Sequence, residues 1–245
     1  MARLLLLCVM LLAGTAYAAD RLPREATLFD RPLATQRVPA NPAHDPAGEL
    51  RCSYYADLMV REAGTDTPAP DAATIVPVAA QRPPCNAEAV AGDRTLTTQH
   101  FSFAGRKGGF LFFSGTDPHG AIPFMVLDAT DGHVVFRDAK MDDGFKAITP
   151  VGGMLRIKYA HGVNGSCSVY KDGPSCWTKL MTEGKVPRAL SQMQPSTEVC
   201  AAGYRRANAT SDNPSIITYD VEVTMGRTGK PRVNSRGKVG CFPMP

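Results

Sequence analysis

An all-β fold, either an antiparallel sandwich or a small closed barrel pinned by disulfides, is what this sequence predicts. Three observations lead there. From Leu96 onward, short apolar runs alternate with turn signals. Several stretches alternate apolar and polar residues with a period of two, the mark of a half-buried strand. Six of the seven cysteines lie beyond a short apolar leader, an even number suited to bridges.

Residues 1–19 read as an export signal. One positive charge at Arg3 precedes an apolar run from Leu4 to Leu12, and Ala16-Tyr17-Ala18 forms a small-residue exit. The run is too short to span a bilayer, and no second stretch is long and apolar enough to form a transmembrane segment. Cleavage after Ala18 removes Cys8. The compartment this implies is the periplasm, or secretion, where disulfides persist. The formal net charge of +4 falls by one with Arg3, too small a balance to imply nucleic acid.

Residues 20–48 carry Pro23, Pro32, Pro39, Pro42 and Pro46 with little periodicity. Proline lacks a backbone N–H and fixes φ, so this stretch is expected to be an extended arm or tether rather than a helix or an interior strand. A single disulfide-stabilised β domain is expected to occupy 49–245. Its first strand runs from Leu50 to Arg61, where Leu50, Cys52, Tyr54, Leu58 and Val60 are apolar and Arg51, Ser53, Asp57 and Arg61 are polar. The prolines between 64 and 84 predict a long irregular connection.

Further on, Phe110–Phe113, Ile122–Leu127 and Val134–Phe136 read as buried strands. Leu155, Ile157 and Tyr159 alternate with Arg156 and Lys158, a strand with one wet face. Asp131-Gly132, Asp143-Gly144 and Asp172-Gly173 read as turns. One short helix is expected near Pro187–Gln194, with Leu190 and Met193 facing inward. In the last hairpin, Ile217, Tyr219, Val221, Val223 and Met225 alternate with Thr218, Asp220, Glu222 and Thr224. A three-residue loop with Gly229 left-handed sets Asp220 opposite Arg236 and Thr224 opposite Arg232. The stretch Val126–Phe136 resembles a hairpin of a β-propeller blade, but it does not repeat, and a propeller needs at least four blades of about 40 residues.

Six cysteines allow 15 pairings. Local pairing gives Cys52–Cys85 across the proline-rich connection, Cys167–Cys176 across the Asp172-Gly173 turn, and Cys200–Cys241 tying the last strand back. No C-x-x-C pair or zinc thiolate spacing occurs, so no metal or other cofactor is expected.

Chemistry is less legible. Ser168-Val169-Tyr170-Lys171, Ser211-Asp212-Asn213 and Arg227-Thr228-Gly229 follow in an order that resembles the serine β-lactamases and penicillin-binding proteins. In those enzymes the serine opens a helix, whereas Ser168 is expected in a short hairpin, and arginine replaces the lysine of the third motif. His119 and His161 both sit in glycine-containing loops after strands, so they would meet if those strands were neighbours. The acids Asp128, Asp131, Asp138, Asp142 and Asp143 cluster in sequence, but aspartate before glycine is first a turn residue. The clearest electrostatic feature is the basic stripe Lys230, Arg232, Arg236 and Lys238, with no acid after Glu222.

Two functions fit. The first is a non-catalytic exported binding protein that meets an envelope protein or anionic glycan through its loops and the basic strand face. The second is a hydrolase of glycan or peptide, with His119 or His161 and a nearby aspartate as acid and base. The visible residues form no complete catalytic constellation, which favours the first.

Overall fold

The computed structural model describes residues 24–41, 45–64, 72–117 and 120–244. The expected export signal lies outside them. The chain builds two antiparallel sheets. The first contains β1 (Ala34–Asn41), β2 (Asp45–Tyr54), β3 (Leu58–Gly64), β4 (Ala72–Pro77) and β5 (Arg94–Thr97), adjacent in chain order. The second contains β6 (Ser102–Lys107), β7 (Phe110–Ser114), β8 (Ile122–Asp128), β9 (Val134–Val151) and β10 (Met154–Asn164), then β11 (Ser215–Met225) and β12 (Arg232–Pro243). Between β10 and β11 lie α1 (Val169–Asp172), α2 (Pro174–Thr182) and α3 (Thr197–Arg206).

The sheets stack as a sandwich over only part of the larger one. Leu111 and Phe113 of β7 and Met125 and Leu127 of β8 meet Leu58, Val60, Ala73, Ile75 and Leu96 of the smaller sheet. On the opposite face of the larger sheet, Phe112, Phe124, Ile157, Tyr159 and Val221 join one core with Trp177, Leu180, Leu190 and Tyr204 from the helical segment. β7 and β8 are buried on both faces, which explains their continuous apolar runs. Each fully buried Leu or Phe contributes roughly 1.5–3 kcal/mol. Phe124 packs edge-on against Phe145 and Tyr159, with ring centroids 4.9 and 5.1 Å away.

The three expected bridges are present: Cys52–Cys85, Cys167–Cys176 and Cys200–Cys241. The last hairpin keeps the expected register, with Asp220 opposite Arg236, Thr224 opposite Arg232, and Gly229 at φ +89°. A bulge between Thr218 and Asp220 is accommodated on β12 at Gly237, whose φ is +88°.

Elsewhere the structure corrects the sequence reading. The expected arm is part of the fold across its described residues. Residues 24–28 form a 3₁₀ turn, and β1 pairs with β2 as an edge strand. Proline is tolerated there because an edge strand leaves one row of N–H groups unused, and Pro39 stands beside a register shift. Phe29 packs at 5.2 Å on Phe112, in a notch that a side chain at Gly105 would fill. The single strand expected from 50 to 61 is two strands, folded back by a turn in which the Tyr55 N–H donates to the Leu58 carbonyl at 2.7 Å. The proline-rich connection contains β4. Its remainder crosses the outer face of the small sheet, where Cys85 is bridged to buried Cys52 and Arg61 donates to the carbonyls of Asn86 and Glu88.

The largest correction falls between 167 and 206, where α1 and α2 replace the hairpin expected around Asp172-Gly173 and α3 follows. Asp172-Gly173 is a helix junction, with Gly173 at φ +46°. Asp143-Gly144 is a bulge inside β9, not a turn. The segment after Pro187 is a 3₁₀ turn, Arg188–Leu190, that buries Leu190 and leaves Met193 exposed.

Candidate functional site

The basic stripe joins a wider charged face. Odd-numbered residues of β10 and β11 point into the helix-side core, so Arg156, Lys158, Asp220 and Glu222 point the other way, the same way as Leu111 and Phe113 in β7. The small sheet covers that face over β7 and β8. Over β9 to β12 it is open.

Cross-strand rows order the charges. Thr149, Arg156, Thr224 and Arg232 form one row, and Ala147, Lys158, Glu222 and Asn234 the next. Asp220 and Arg236 follow. Lys146 reaches in from the bulge of β9 and donates to Asp220 at 2.5 Å. Glu222 lies 2.6 Å from Arg236 and 3.2 Å from Lys158, with Arg156 at 3.8 Å. The hydrogen bond from the Lys158 ammonium, with Arg236 and Arg156 close by, holds Glu222 below the ordinary glutamate range. Thus Lys146, Arg156, Lys158, Arg232 and Arg236 surround only Asp220, which pairs with Lys146, and Glu222, which is shared by Lys158, Arg156 and Arg236. Lys230 lies in the hairpin loop and Lys238 within the bulge of β12, both exposed. Among the described residues, Lys230, Arg232 and Lys238 have no ion-pair partner.

Arg227, next to the stripe, belongs elsewhere. It donates to both carboxylate oxygens of buried Asp128 at 2.5 and 2.7 Å, joining the β11–β12 loop to the end of β8. Asp128 also groups with Asp131 and His133, the one cluster of potential metal ligands found among the described residues. The guanidinium already satisfies both Asp128 oxygens, and the Asp131 carboxylate hydrogen-bonded to His133 raises the imidazole above its ordinary range.

His119 lies outside the described residues, so its meeting with His161 rests on the sequence alone. His161 does have an aspartate partner: its Nδ1 is 2.9 Å from Asp138 Oδ1. The Tyr159 hydroxyl donates to the other oxygen of Asp138, and the Tyr219 ring lies 4.9 Å from the imidazole. Burial, and then the Asp138 charge, push the Tyr159 and Tyr219 hydroxyls above the ordinary tyrosine range. His161 and Asp138 keep only 16% and 19% of their side-chain surface. Beside them Lys140 is almost sealed, 3.2 Å from Glu25 and 5.2 Å above the Phe145 ring. This constellation holds the N-terminal turn and three strands of the large sheet, β9 to β11, together.

Of the β-lactamase-like motifs, the first two meet through Lys171 and Asp212, but the third is engaged elsewhere. Ser168 does open a helix, contrary to the hairpin expectation, because its hydroxyl caps α1 by accepting from the Lys171 N–H. The hydroxyl is buried beside Tyr204 at 3.3 Å, the Lys171 ammonium turns out to Asp212, and Arg227 is bound to Asp128. All six cysteines among the described residues are bridged, so none of them offers a free thiol.

The sequence signal for Arg156 and Lys158 was their alternation with apolar neighbours. Lys146 carried no such signal, because a bulge brings it to the face. No protein-family model, curated protein or solved structure matches this chain.

Proposed function

We propose that this chain is an exported, non-catalytic binding protein that holds an anionic glycan across the open half of its large sheet. The observation that carries the reading is the row of Arg156 and Arg232, two arginines with no acid in their row, beside a row whose one carboxylate, Glu222, is shared by Lys158, Arg156 and Arg236. Arginine presents a planar fork of donors suited to carboxylate, sulfate and phosphate groups. The disulfides fit the exported compartment.

The test is titration calorimetry with heparin as a polyanionic probe, at several salt concentrations. The native chain is expected to bind with an affinity that falls steeply as salt screens the contacts. The triple variant Arg156→Gln, Arg232→Gln, Arg236→Gln should bind at least about tenfold more weakly and depend less on salt. Equal affinity in both proteins would remove the open face from the reading.

A second reading, hydrolysis by His161 with Asp138, draws on their 2.9 Å approach. His161→Asn separates the two. A loss of stability with unchanged glycan binding fits a packing role, whereas loss of a hydrolytic activity at unchanged stability fits an enzyme.

A further inference from the structure

A cleft of about 570 Å³ lies at the end of the same open sheet face, beyond the charged rows. Its volume is in the range of small-molecule sites. Ala160 and Thr218, the next outward residues after Lys158 and Asp220, lie in it, and its floor is apolar, with Ile216 and Phe242 among its residues. Its two flanks have opposite charge. On one side the β9 bulge, inserted between the Tyr159–Phe145 and His161–Lys140 pairs, projects Asp142 and Asp143. On the other side α3 contributes Arg206. α3 is held against β12 by the Cys200–Cys241 bridge, and Gly203 sits so close to the Cys241 carbonyl that a side chain there would strike it.

Asp117, from the β7–β8 connection, adds a fourth charged residue to the lining. Asp142, Asp143 and Arg206 are exposed, and among the described residues none of these three has an ion-pair or hydrogen-bond partner. Charges on protein surfaces commonly find partners within the same chain, as the rows of β10 to β12 do a few residues away. Here they are held apart by the floor. Strands lie about 4.8 Å apart, so β9 and β12, separated by β10 and β11, are roughly 14 Å from one another. Side chains reaching inward from both flanks shorten that gap. An extended tripeptide spans about 10 Å.

We infer that the cleft binds a short apolar peptide with free ends. Its ammonium would lie against Asp142 and Asp143, its carboxylate against the Arg206 guanidinium, and its apolar side chains on Ile216 and Phe242. A charged hydrogen bond at each end fixes direction and length, and the apolar floor supplies area without demanding one sequence. The occupant differs in charge from the glycan of the neighbouring rows, so the inference does not depend on that reading.

Titration calorimetry of the whole exported chain with trileucine and triphenylalanine tests it, each as the unblocked peptide, the N-acetyl peptide and the C-terminal amide. Saturable binding of an unblocked peptide is expected, with either block weakening it about tenfold. In Arg206→Gln the amide should bind as well as the free acid, while acetylation still weakens binding. In the double variant Asp142→Asn, Asp143→Asn, the acetyl peptide should bind as well as the free amine, while amidation still matters. Unchanged thermal unfolding in both variants would show that the fold is intact. The inference is overturned if neither unblocked peptide binds up to roughly 10 mM, if blocked and unblocked forms bind alike, or if the variants retain full discrimination at both ends.

Discussion

One face of the seven-stranded sheet is dry at one end and wet at the other. Over β7 and β8 it carries Leu111, Phe113, Met125 and Leu127 against the smaller sheet. Over β10 to β12 it carries Arg156, Lys158, Glu222 and Arg236 against solvent. The backbone and the hydrogen-bond ladder are continuous across both regions. What differs is the extent of the partner sheet, which reaches only part of the way across. The helical segment covers the opposite face where the small sheet is missing, so β10 and β11 still bury one side. A sheet wider than its partner therefore leaves a charged surface open, and this surface supplies the proposed binding face.

The comparison is broken most strongly in the covered region. Phe113→Ala empties space between the sheets, where Phe113 is fully buried and packs at 5.5 Å on Phe103. It is expected to cost about 3–5 kcal/mol in chemical denaturation. If it cost under about 1 kcal/mol, the inter-sheet layer would not be the core it appears from packing. The double variant Cys52→Ala, Cys85→Ala releases the connection from the small sheet and opens a crosslink between residues 33 apart in sequence. A loss of about 2–4 kcal/mol is expected by the same measurement, with heparin affinity retained because the open face is elsewhere.

The open region should respond in binding rather than in stability. Glu222→Gln removes a carboxylate shared by Lys158, Arg156 and Arg236, and heparin affinity should rise several-fold while the thermal midpoint changes little. The pH dependence runs the same way. Because the folded pKa of Glu222 is lowered, its contribution to stability is present above the unfolded value and is lost as pH falls through the folded one. Over that acidic window the face gains positive charge, so heparin binding should strengthen in the native chain and change less in Glu222→Gln. The smallest expected effect is that of Lys158→Ala on stability, within about 0.5 kcal/mol in thermal unfolding. A large loss there would mean that the charged rows hold the sheet together as much as the apolar layer does.

Local rules were enough wherever one segment sufficed to set the structure. The alternation in β10 and β11 gave their faces, Asp220 met Arg236 as the hairpin register requires, and the cysteines paired with local partners. The same rules misread residues 167–206, where Asp172-Gly173 looked like a hairpin turn. Helix formation there is driven by burial of Cys176, Trp177 and Leu180 against a sheet face made by strands on both sides in sequence. They also misread the proline-rich N-terminal stretch, because Phe29 and Glu25 find their partners, Phe112 and Lys140, only in the folded molecule.

The candidate sites divide in the same way. Arg232, Arg236, Lys230 and Lys238 were legible because they lie on or beside one strand with period two. Their union with Arg156 and Lys158, the arrival of Lys146 from a bulge, and the placing of Asp142 and Asp143 across a floor from Arg206 were decided by tertiary structure. The sequence by itself determined the β class, the bridges and the last hairpin, because pattern, turn chemistry and short chain separation act locally. Which part of a face is covered, and which charges are left without partners, depends on how far one sheet extends over another, a consequence of packing between segments distant along the chain.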